Sequence, residues 1–261
     1  MFDFNGTPAV PIRNWILSSL PEDELDQIRP HLNVSLLNAG MMLAEVEDSL
    51  SRCYFPNFGM ISLLSTTENG RSVEIGLAGS EGVLGLPVIL GKNEMPYQAL
   101  VQVTAECYSL SAGHAKDLFG RLPEFHRLIL RYSLVEMRQL SQTCVCNHFH
   151  SIRARLCRWL SVMSERSGER RLKLTQEFLA NILGVQRTSI TAAAIELQDL
   201  GIVQYKRGLI EIADEERLRQ FACECLAVIR GELDEFMSEN NNFTKSTTRQ
   251  TPRPNPAIMN D

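Results

Sequence analysis

The chain has 261 residues, of which 44% are hydrophobic and 22% are charged, so it is long enough for two domains with a core each. The net charge is −5, yet residues 151–212 carry ten lysines and arginines against six acidic residues, whereas residues 1–150 carry ten against sixteen. Seven scattered cysteines, no apolar run of about 18 residues and no basic-then-apolar start argue against a disulfide framework, a membrane span and a secretion signal, and predict a soluble cytoplasmic protein.

The first part of the chain is predicted to form a small β-domain. Two short helices are expected between residues 12 and 28, followed from residue 33 to 110 by short apolar runs that glycines separate. The dipeptide Asn69-Gly70 is a strong signal for a two-residue hairpin turn. Short strands at this spacing favour a small antiparallel barrel or jelly roll. We therefore predict an α+β protein with a barrel over residues 11–122.

A long helix over residues 123–147 is predicted to carry two apolar stripes. The first consists of Phe125, Leu128, Tyr132 and Val135. The second has the 4-3-4-3 spacing of a coiled-coil seam and consists of Leu130, Leu134, Met137, Ser141 and Cys144. A helix that is apolar on two sides needs two covering surfaces, so we expect the barrel on one side and a second subunit on the other. A single buried helix is the alternative.

The third part, residues 148–213, begins with an amphipathic helix over residues 151–167 and continues as a helix-turn-helix. If Gln176 is position one of the motif, Ala180 falls at position five, where the helices cross closely. Gly184 then falls at position nine, where the turn needs positive φ, and Ile190 at position fifteen, where it plugs the second helix onto the first. An ordinary αα-hairpin is the alternative.

The second helix of this motif, over about residues 187–200, has a short, polar start that suits entry into a DNA major groove. Its inward residues are predicted to be Ile190, Ala194, Ile195 and Leu197. A two-stranded hairpin, residues 202–205 and 209–212, follows as a basic wing, and the local positive charge suits contact with phosphates. The predicted DNA contacts are Thr175, Gln176, Gln186, Arg187, Thr188, Ser189, Thr191, Lys206 and Arg207.

Two segments follow the wing. Residues 214–237 are predicted to form one more helix. Residues 238–261 are polar and contain prolines, which predicts a disordered tail.

A glycine-punctuated barrel, a long helix with a seam and a winged helix-turn-helix, in this order, resemble the Crp/Fnr family of bacterial transcription regulators. The resemblance covers about residues 20–213 and is most specific in TQEFLANILGVQRTSI, residues 175–190. It implies a homodimer joined along residues 123–147, whose paired recognition helices contact two half-sites about one helical turn apart. It also implies an effector in the barrel that reorients the DNA-binding domains through a hinge at residues 147–151.

The recognition helix departs from the family pattern, which is often Arg-Glu-Thr with a second arginine four residues after the glutamate. Arg187 matches the first arginine, but Thr188 replaces the glutamate and Ala192 the second arginine. Arg187 retains the two donors that contact guanine O6 and N7, worth about 1–3 kcal/mol of discrimination. The target should therefore differ from that of the family's cyclic-AMP receptor. Contacts that position rather than specify are expected from Thr175, Gln176, Lys206 and Arg207.

The barrel departs further. Cyclic-nucleotide binders of the family carry a Gly-Glu-Leu-Gly turn whose glutamate holds the ribose, and then an Arg-Ser or Arg-Thr that grips the cyclic phosphate. Here residues 82–85 are GVLG, and residues 95–99 offer no cation. Burying a phosphate without a paired charge is costly, so we expect no cyclic-nucleotide binding or only very weak binding. Two alternatives follow: either the pocket binds another, less charged ligand, or the domain serves only as a dimer scaffold. The predicted effector pocket consists of Gly82, Val83, Leu84, Gly85, Tyr97 and Gln98.

The segment CVCNHFH, residues 144–150, places a cysteine and a histidine four residues apart twice, so each pair shares a helical face. Thiolate and imidazole suit zinc or redox sensing. We favour structural roles in the seam and hinge, so these residues are only weak metal candidates: Cys144, Cys146, His148 and His150. Cys223 and Cys225, two apart on the predicted last helix, are assigned to different faces.

Other sensing chemistries lack their residues, and no cofactor is predicted. An iron–sulfur cluster of the family's kind needs N-terminal cysteines, but the first cysteine is Cys53. A cupin-type metal site needs histidines on the strands, but none lies between His31 and His114.

The sequence therefore predicts a DNA-binding transcription regulator and not an enzyme, because no nucleophile–base–orienter set occurs in one element. The expected partners are double-stranded DNA, a second copy of the chain and an unknown small-molecule effector, with RNA polymerase as a further candidate. The alternative is a ligand- or redox-sensing protein whose helix-turn-helix mediates protein contacts. Salt-dependent affinity for duplex DNA that is lost in Arg187→Ala distinguishes the two.

Overall fold

The computed structural model describes residues 10–92 and 94–247, with side chains to residue 238. The helices are α1 (Trp15–Ser18), α2 (Glu22–Ile28), α3 (Leu86–Ile89), α4 (Ala112–Arg121), α5 (Pro123–Phe149), α6 (Ile152–Ser167), α7 (Gln176–Leu183), α8 (Arg187–Asp199), α9 (Glu215–Phe221) and α10 (Cys225–Thr247). The strands are β1 (Asn33–Leu37), β2 (Met42–Ala44), β3 (Arg52–Thr66), β4 (Ser72–Ala78), β5 (Gln98–Ser111), β6 (Arg171–Lys173), β7 (Val203–Lys206) and β8 (Leu209–Ile212). Within these described ranges, no helix combines the length and apolarity that crossing a membrane requires.

The N-terminal β-domain, residues 33–111, is built on two long strands. β3 and β5 have 15 and 14 residues, and the antiparallel order is β1-β5-β3-β4 with β2 also on β5. Register shifts between residues 56 and 61 bend β3. There Gly59 has a φ of 87°, and a Cβ would lie 2.5 Å from the Ala105 Cα, so only glycine fits. The α+β fold is confirmed, but two continuous bent strands replace several of the short ones expected.

The turn between β3 and β4 contains Asn69-Gly70, as predicted, but it is longer than two residues. Thr67 N donates to Arg71 O at 2.9 Å, and Gly70 N donates to Thr67 O at 2.8 Å. Three residues therefore form the loop, with Gly70 at a φ of 79°. This is the geometry of a three-residue hairpin loop with a left-handed glycine. The dipeptide located the turn correctly but not its length.

The long helix α5 packs one of its two apolar stripes into the β-domain. Phe125 and Tyr132 on the first stripe are fully buried. On the second stripe Leu130, Leu134 and Met137 are 42%, 49% and 61% exposed. The structure of a single chain therefore covers one side of α5 and leaves the predicted seam uncovered.

The C-terminal domain packs against the β-domain of the same chain through a shared apolar cluster, which includes Met60 and Leu77, and through two polar contacts. The fully buried Trp159 of α6 donates from Nε1 to Glu74 Oε1 on β4 at 3.0 Å. Arg166, further along α6, forms a 2.7 Å ion pair with the buried Glu81. Burial raises the pKa of Glu74. Because an unpaired buried charge is costly, these two contacts hold α6 in one position on the β-domain.

The C-terminal segment differs from the single helix predicted over residues 214–237. It contains two helices, α9 and α10, with a break at residues 222–224. α10 returns to the β-domain, where Phe236 is 3% exposed and its ring centroid lies 4.3 Å from that of Trp15. The disordered tail predicted from residue 238 is wrong up to Thr247, because α10 continues to there. Residues 248–261 of that prediction lie outside the described residues.

Candidate nucleic-acid interface and effector site

α7 and α8 form the helix-turn-helix that the spacing predicted. Thr175 Oγ1 accepts a hydrogen bond from Phe178 N at 3.1 Å and so caps α7. Gly184 ends α7 with a φ of 63°, a conformation that favours glycine. Ala180 and Ile190 are 4% and 0% exposed and belong to the same core. The small residue, the turn glycine and the plug therefore occupy the positions that the motif requires.

The first turn of α8 is open to solvent. Gln186 at its N-cap, Arg187 and Thr188 are exposed, while Ser189 and Thr191 are half-buried. No side chain caps α8, so the positive end of the helix dipole faces outward without a bound side-chain oxygen. An exposed helix N-terminus with this composition is suited to contact a phosphate and the adjacent base edges.

The prediction that Ile195 is buried is wrong. Ile195 is 54% exposed, whereas Ile190, Ala194 and Leu197 fill the core as predicted. Ile195 lies three residues after the exposed Ala192 and so shares its outward face. Assigning every apolar residue of α8 to the core overlooked that the outer face of a recognition helix also carries apolar groups that contact thymine methyls.

The polar residues at the start of α7 hold α8 in place. Gln176 Oε1 accepts a hydrogen bond from Thr191 Oγ1 at 2.8 Å. Two of the predicted DNA contacts thus bind each other across the two helices. Such a bond contributes about 1 kcal/mol and fixes the rotamer of each side chain. Gln176 therefore supports the recognition helix in addition to any contact of its own.

The wing is a three-stranded sheet, not the two-stranded hairpin predicted, in the order β6-β8-β7. Arg207 and Gly208 form its tip with φ values of 51° and 79°, which is typical of a tight two-residue hairpin turn. Leu174 N donates to Gly208 O at 2.8 Å, so the wing tip lies beside the start of α7. The missed strand brings in Lys173, which is exposed and paired in register with Leu209. The alternation of charged and apolar residues at 171–174 was the available signal.

The ten cations of residues 151–212 divide into three groups. Four form ion pairs, namely Arg153, Arg166, Arg170 and Arg171. Arg155 and Arg158 are buried at 6% and 8% exposure. The four that remain are exposed and take part in no salt bridge within the described part of the chain: Lys173, Arg187, Lys206 and Arg207. All four lie on the recognition helix or the wing sheet, and we call them the free cations.

The turn at residues 82–85, part of the predicted effector pocket, is closed by the rest of the chain. All four of its residues are buried. Asn14 Nδ2 donates to Gly82 O at 2.8 Å, and Leu84 exchanges two backbone hydrogen bonds with β3 at 2.8 and 2.9 Å. A Cβ on Gly82 would lie 2.0 Å from the ring of Tyr132, so this buried tyrosine of α5 packs directly on the turn.

Tyr97, from the second part of that pocket, also meets α5. Its hydroxyl donates to Glu136 Oε1 at 3.1 Å, one helical turn after Tyr132. Burial raises the pKa of Glu136 to about 7, and the hydrogen bond from Tyr97 partly opposes that rise. Gln98 is directed elsewhere, since its amide oxygen accepts a hydrogen bond from Thr66 at 2.6 Å. Tyr97 therefore has the carboxyl group of Glu136 as its partner, which does not favour an anionic ligand at this part of the pocket.

The four sulfur and imidazole side chains of residues 144–150 separate into two pairs. Cys144 and His148 are exposed. Cys146 is fully buried, and His150, just beyond the end of α5, is half-buried. Only the second of the two pairs with i, i+4 spacing therefore lies inside the protein.

The assignment of Cys223 and Cys225 to different faces of one helix is wrong. Cys223 lies in the break at residues 222–224, and Cys225 is the first residue of α10. Cys223 Sγ lies 3.5 Å from Cys146 Sγ, and Cys225 Sγ lies 3.4 Å from His150 Nδ1. The hydrogen bond from Cys223 lowers the pKa of the Cys146 thiol. Without glycine or proline at the break, the sequence carried no signal for this meeting.

Two domain families match the chain. The Crp-like helix-turn-helix domain matches residues 154–221, and the cyclic nucleotide-binding domain matches residues 36–121. Together they cover 154 of the 261 residues. The first match contains the helix-turn-helix and the wing, and the second contains most of the β-domain and α4.

Individual relatives match most of the chain. Electron transport regulator A of Shewanella oneidensis is 21% identical over 224 residues, which are 83% of this chain and 87% of that protein. A solved transcriptional regulator of the Crp/Fnr family from Eubacterium rectale has a TM-score of 0.67 at 17% identity, over 83% of this chain and 98% of that one. The c-di-GMP responsive global regulator CLP of Xanthomonas campestris has a TM-score of 0.61 at 14% identity, over 74% and 99%. At these identities the solved structures support the fold.

Proposed function

We propose, from the premise that this chain belongs to the Crp/Fnr family of transcription regulators, that it binds a two-fold symmetric DNA site as a homodimer and responds to a signal other than a cyclic nucleotide. The family assignment establishes a regulatory DNA-binding protein that joins a cyclic-nucleotide-type domain to a helix-turn-helix. The dimer, its DNA site and the nature of the signal are the parts proposed.

The distribution of the free cations carries the proposal of DNA binding. They occupy one connected surface, because the start of α7 bonds to the wing tip through Gly208 and to α8 through the Gln176–Thr191 hydrogen bond. Cations that lack internal partners are available to neutralise phosphates, which supplies most non-specific affinity for DNA. The exposed start of α8 lies within the same surface and is suited to contact base edges.

The uncovered stripe of α5 supports the dimer. Leu130, Leu134 and Met137 are exposed at coiled-coil spacing, and Ser141 and Cys144 continue the stripe as exposed residues. Packing the stripe against the same stripe of a second copy removes this apolar surface from water in a self-complementary, two-fold interface. A two-fold dimer then places its two recognition helices on two half-sites of opposite orientation.

The outer face of α8 indicates the kind of half-site. Arg187 supplies the two donors that suit guanine, at about 1–3 kcal/mol of discrimination. Thr188 and Ala192, where the family often has glutamate and arginine, instead offer methyl groups that contact thymine. We therefore expect a G·C pair in each half-site to be essential and the pairs beside it to be A·T.

The β-domain supports a signal other than a cyclic nucleotide. Backbone groups of the turn at residues 82–85 form hydrogen bonds with other parts of the chain, and Tyr132 occupies the space over Gly82. Two carboxyl groups lie near this region: Glu136, which Tyr97 contacts, and Glu81, which forms an ion pair with Arg166. A buried phosphate there would have to compete with Glu81 for Arg166 and would meet a like charge once Glu136 ionises.

The proposal is tested by selecting genomic DNA fragments with the purified full-length protein, in parallel with Arg187→Ala and Arg170→Ala. The control also removes one exposed cation, but Arg170 is paired with Glu215 at 2.9 Å. We expect the wild type and Arg170→Ala to enrich a symmetric motif with half-site centres about 10 base pairs apart. Arg187→Ala should lose the motif.

Two results would contradict the proposal. An unchanged motif in Arg187→Ala would show that α8 does not contact the bases as described. Duplex affinity that is absent at low salt for every variant would favour the alternative, in which the helix-turn-helix contacts another protein. Addition of cyclic AMP should leave the selected motif and its enrichment unchanged.

A further inference from the structure

Four potential metal ligands converge where α5 ends and α10 begins. They are Cys146, His150, Cys223 and Cys225, and their Sγ and imidazole nitrogen atoms all lie within 4.8 Å of one another. The three thiols are buried and the imidazole is half-buried. Neither the helix-turn-helix nor the β-domain turn uses any of these side chains.

The backbone explains why they meet. Cys146 lies in the last turn of α5, and His150 follows four residues later, after the helix has ended. Helix α9 then stops at Phe221, and the break at residues 222–224 turns Cys223 back toward α5. Two pieces of chain, residues 146–150 and 223–225, therefore contribute to one cluster although Cys146 and Cys223 are 77 positions apart.

The spacing fits one tetrahedral ion. Zinc binds thiolate sulfur at about 2.3 Å and imidazole nitrogen at about 2.0–2.1 Å, which places neighbouring ligand atoms about 3.4–3.8 Å apart in a tetrahedron. The measured separations are 3.5 Å for Cys146 Sγ–Cys223 Sγ and 3.4 Å for Cys225 Sγ–His150 Nδ1. An iron–sulfur cluster distributes its four cysteines over two or four iron atoms and so needs wider separations than four ligands of one ion.

We propose that Cys146, His150, Cys223 and Cys225 bind one zinc ion per chain in a closed, structural Cys₃His site. Soft thiolates with one imidazole are the donor set that selects zinc over magnesium or calcium. All four positions are filled by the protein, so the site has no open position for a substrate.

The surroundings of the cluster are those of a metal site. His150 Nε2 donates to Glu224 Oε1 at 2.9 Å, which directs Nδ1 toward the thiols, the usual arrangement of a carboxylate behind a metal-bound histidine. Gln142 Nε2 donates to Cys225 Sγ at 3.1 Å. Three thiolates and one zinc ion carry a net charge of −1, and the buried Arg158 of α6 interacts electrostatically with Cys146. The site is thus oriented and close to neutral.

The position of the site gives it a consequence for DNA binding, which rests on the proposed function. Zinc would tie the end of α5 to the start of α10 through His150, two residues before α6 begins. Next to it, Arg155 of α6 donates to Asn147 Oδ1 at 2.7 Å and also to Leu183 O at the end of α7. Metal loss should loosen this junction and lower DNA affinity by about 5–150-fold, the usual range of coupling between sites.

The test measures metal on the full-length protein. We expect about one zinc per chain by elemental analysis after dialysis against metal-free buffer. The protein stripped of metal should, on titration with Co²⁺, give the intense visible bands of tetrahedral thiolate coordination. Cys146→Ser and Cys223→Ser should lose both signals, whereas the matched controls Cys144→Ser and His148→Ala, which change exposed neighbours, should keep them.

A second set of variants separates loss of metal from loss of fold. Glu224 is exposed and only orients His150, so Glu224→Ala should fold normally and weaken Co²⁺ affinity about 10–100-fold. Circular dichroism of each variant checks the fold. Unaltered zinc content in Cys146→Ser, bound iron with cluster absorption, or a Cys146–Cys223 disulfide in place of metal would each overturn the proposal.

DNA affinity is measured separately, on a DNA fragment obtained in the selection described above. Zinc-loaded protein should bind it more tightly than protein treated with chelator, and the control Arg170→Ala should show the same difference. If zinc is bound stoichiometrically but no form of the protein binds DNA, the metal site stands and the proposed function fails. If DNA is bound equally with and without zinc, the coupling is overturned.

Discussion

The two sides of α5 differ in how completely the chain covers them. On the inner side Tyr132 packs on the turn at residues 82–85 and Glu136 accepts a hydrogen bond from Tyr97. On the outer side Met137 is 61% exposed. The same contrast separates the β-domain turn, whose polar groups bond within the chain, from the proposed DNA-binding surface, whose four cations form no salt bridge among the described residues. Surfaces that the chain leaves exposed or unpaired are therefore candidates for contact with a partner, whereas the groups of the β-domain turn already have their partners within the chain.

The same two regions, the β-domain turn and the surface of the recognition helix and wing, also differ in the charged groups that they carry. The carboxyl groups near the β-domain turn are Glu81, which is already paired with Arg166, and Glu136, whereas the recognition helix and wing carry the free cations. A phosphate is therefore disfavoured at the first place and favoured at the second. Within one chain, the part that matches a nucleotide-binding domain is the part less suited to hold a phosphate.

The largest effect is expected from Met137→Glu, which places a carboxylate on the exposed stripe of α5. In the dimer this change opposes two carboxylates in an apolar seam, which is costly. Sedimentation should show monomers, and affinity for the symmetric site should fall at least about 100-fold because the two half-sites are no longer bound together. Leu36→Glu is the matched control, since Leu36 is 63% exposed on β1, away from the seam. Equal behaviour of the two variants would contradict the proposed interface.

On the buried side of α5, an added side-chain atom should lower the stability of the protein. Gly82→Ala places a methyl group 2.0 Å from the Tyr132 ring, which is fully buried and cannot move freely. We expect a loss of about 3 kcal/mol in the free energy of unfolding, the upper part of the usual range for overpacking. Denaturant titration measures it. Gly113→Ala in α4, with no neighbouring atom within 4 Å, should be neutral or stabilising. Wild-type stability of Gly82→Ala would mean that the turn is open.

The sequence predicted the features that depend on local spacing. The positions of Ala180, Gly184 and Ile190 predicted the helix-turn-helix because its helix crossing constrains residue size at fixed intervals. The exposed stripe of α5 could also be predicted, because its residues follow a 4-3-4-3 repeat that places them on one face of a helix. Each of these signals lies within one or two elements, so a single sequence suffices to find it.

The features that depend on tertiary contact were missed. The metal-ligand cluster joins residues 77 positions apart, Cys146 and Cys223, through a helix break that no glycine or proline marks. Strand β6 has only three residues and is stabilised by pairing with β8. Ile195 was misplaced because composition alone does not show which apolar residues of α8 lie on its exposed face. Closure of the β-domain turn by Tyr132 was likewise a matter of packing.

A medium effect is expected from Glu136→Gln. The folded-state pKa of Glu136 is raised to about 7 from 4.5, so the folded protein keeps a proton that the unfolded chain releases. Stability should therefore fall as pH rises from about 4.5 to 7 and stay lower above that. Glutamine still accepts the Tyr97 hydrogen bond and carries no charge. We expect it to raise the free energy of unfolding by roughly 2 kcal/mol at pH 8 and by little at pH 4.5. Thermal unfolding at several pH values measures this, and an equal change at both pH values would be inconsistent with a buried, neutral carboxyl.

The smallest effect on stability, and the sharpest test of the open surface, is expected from Lys206→Ala. Lys206 is exposed and has no salt bridge among the described residues, so its loss should change the free energy of unfolding by less than about 0.5 kcal/mol. If it neutralises one phosphate per chain, the slope of log affinity against log salt should become shallower by about 2 for the dimer, with the selected motif unchanged. Arg171→Ala, on the same sheet but paired with Glu211 at 3.1 Å, should leave the slope unaltered. A salt slope that responds equally to both substitutions would show that net charge, and not the free cations of the wing, determines affinity.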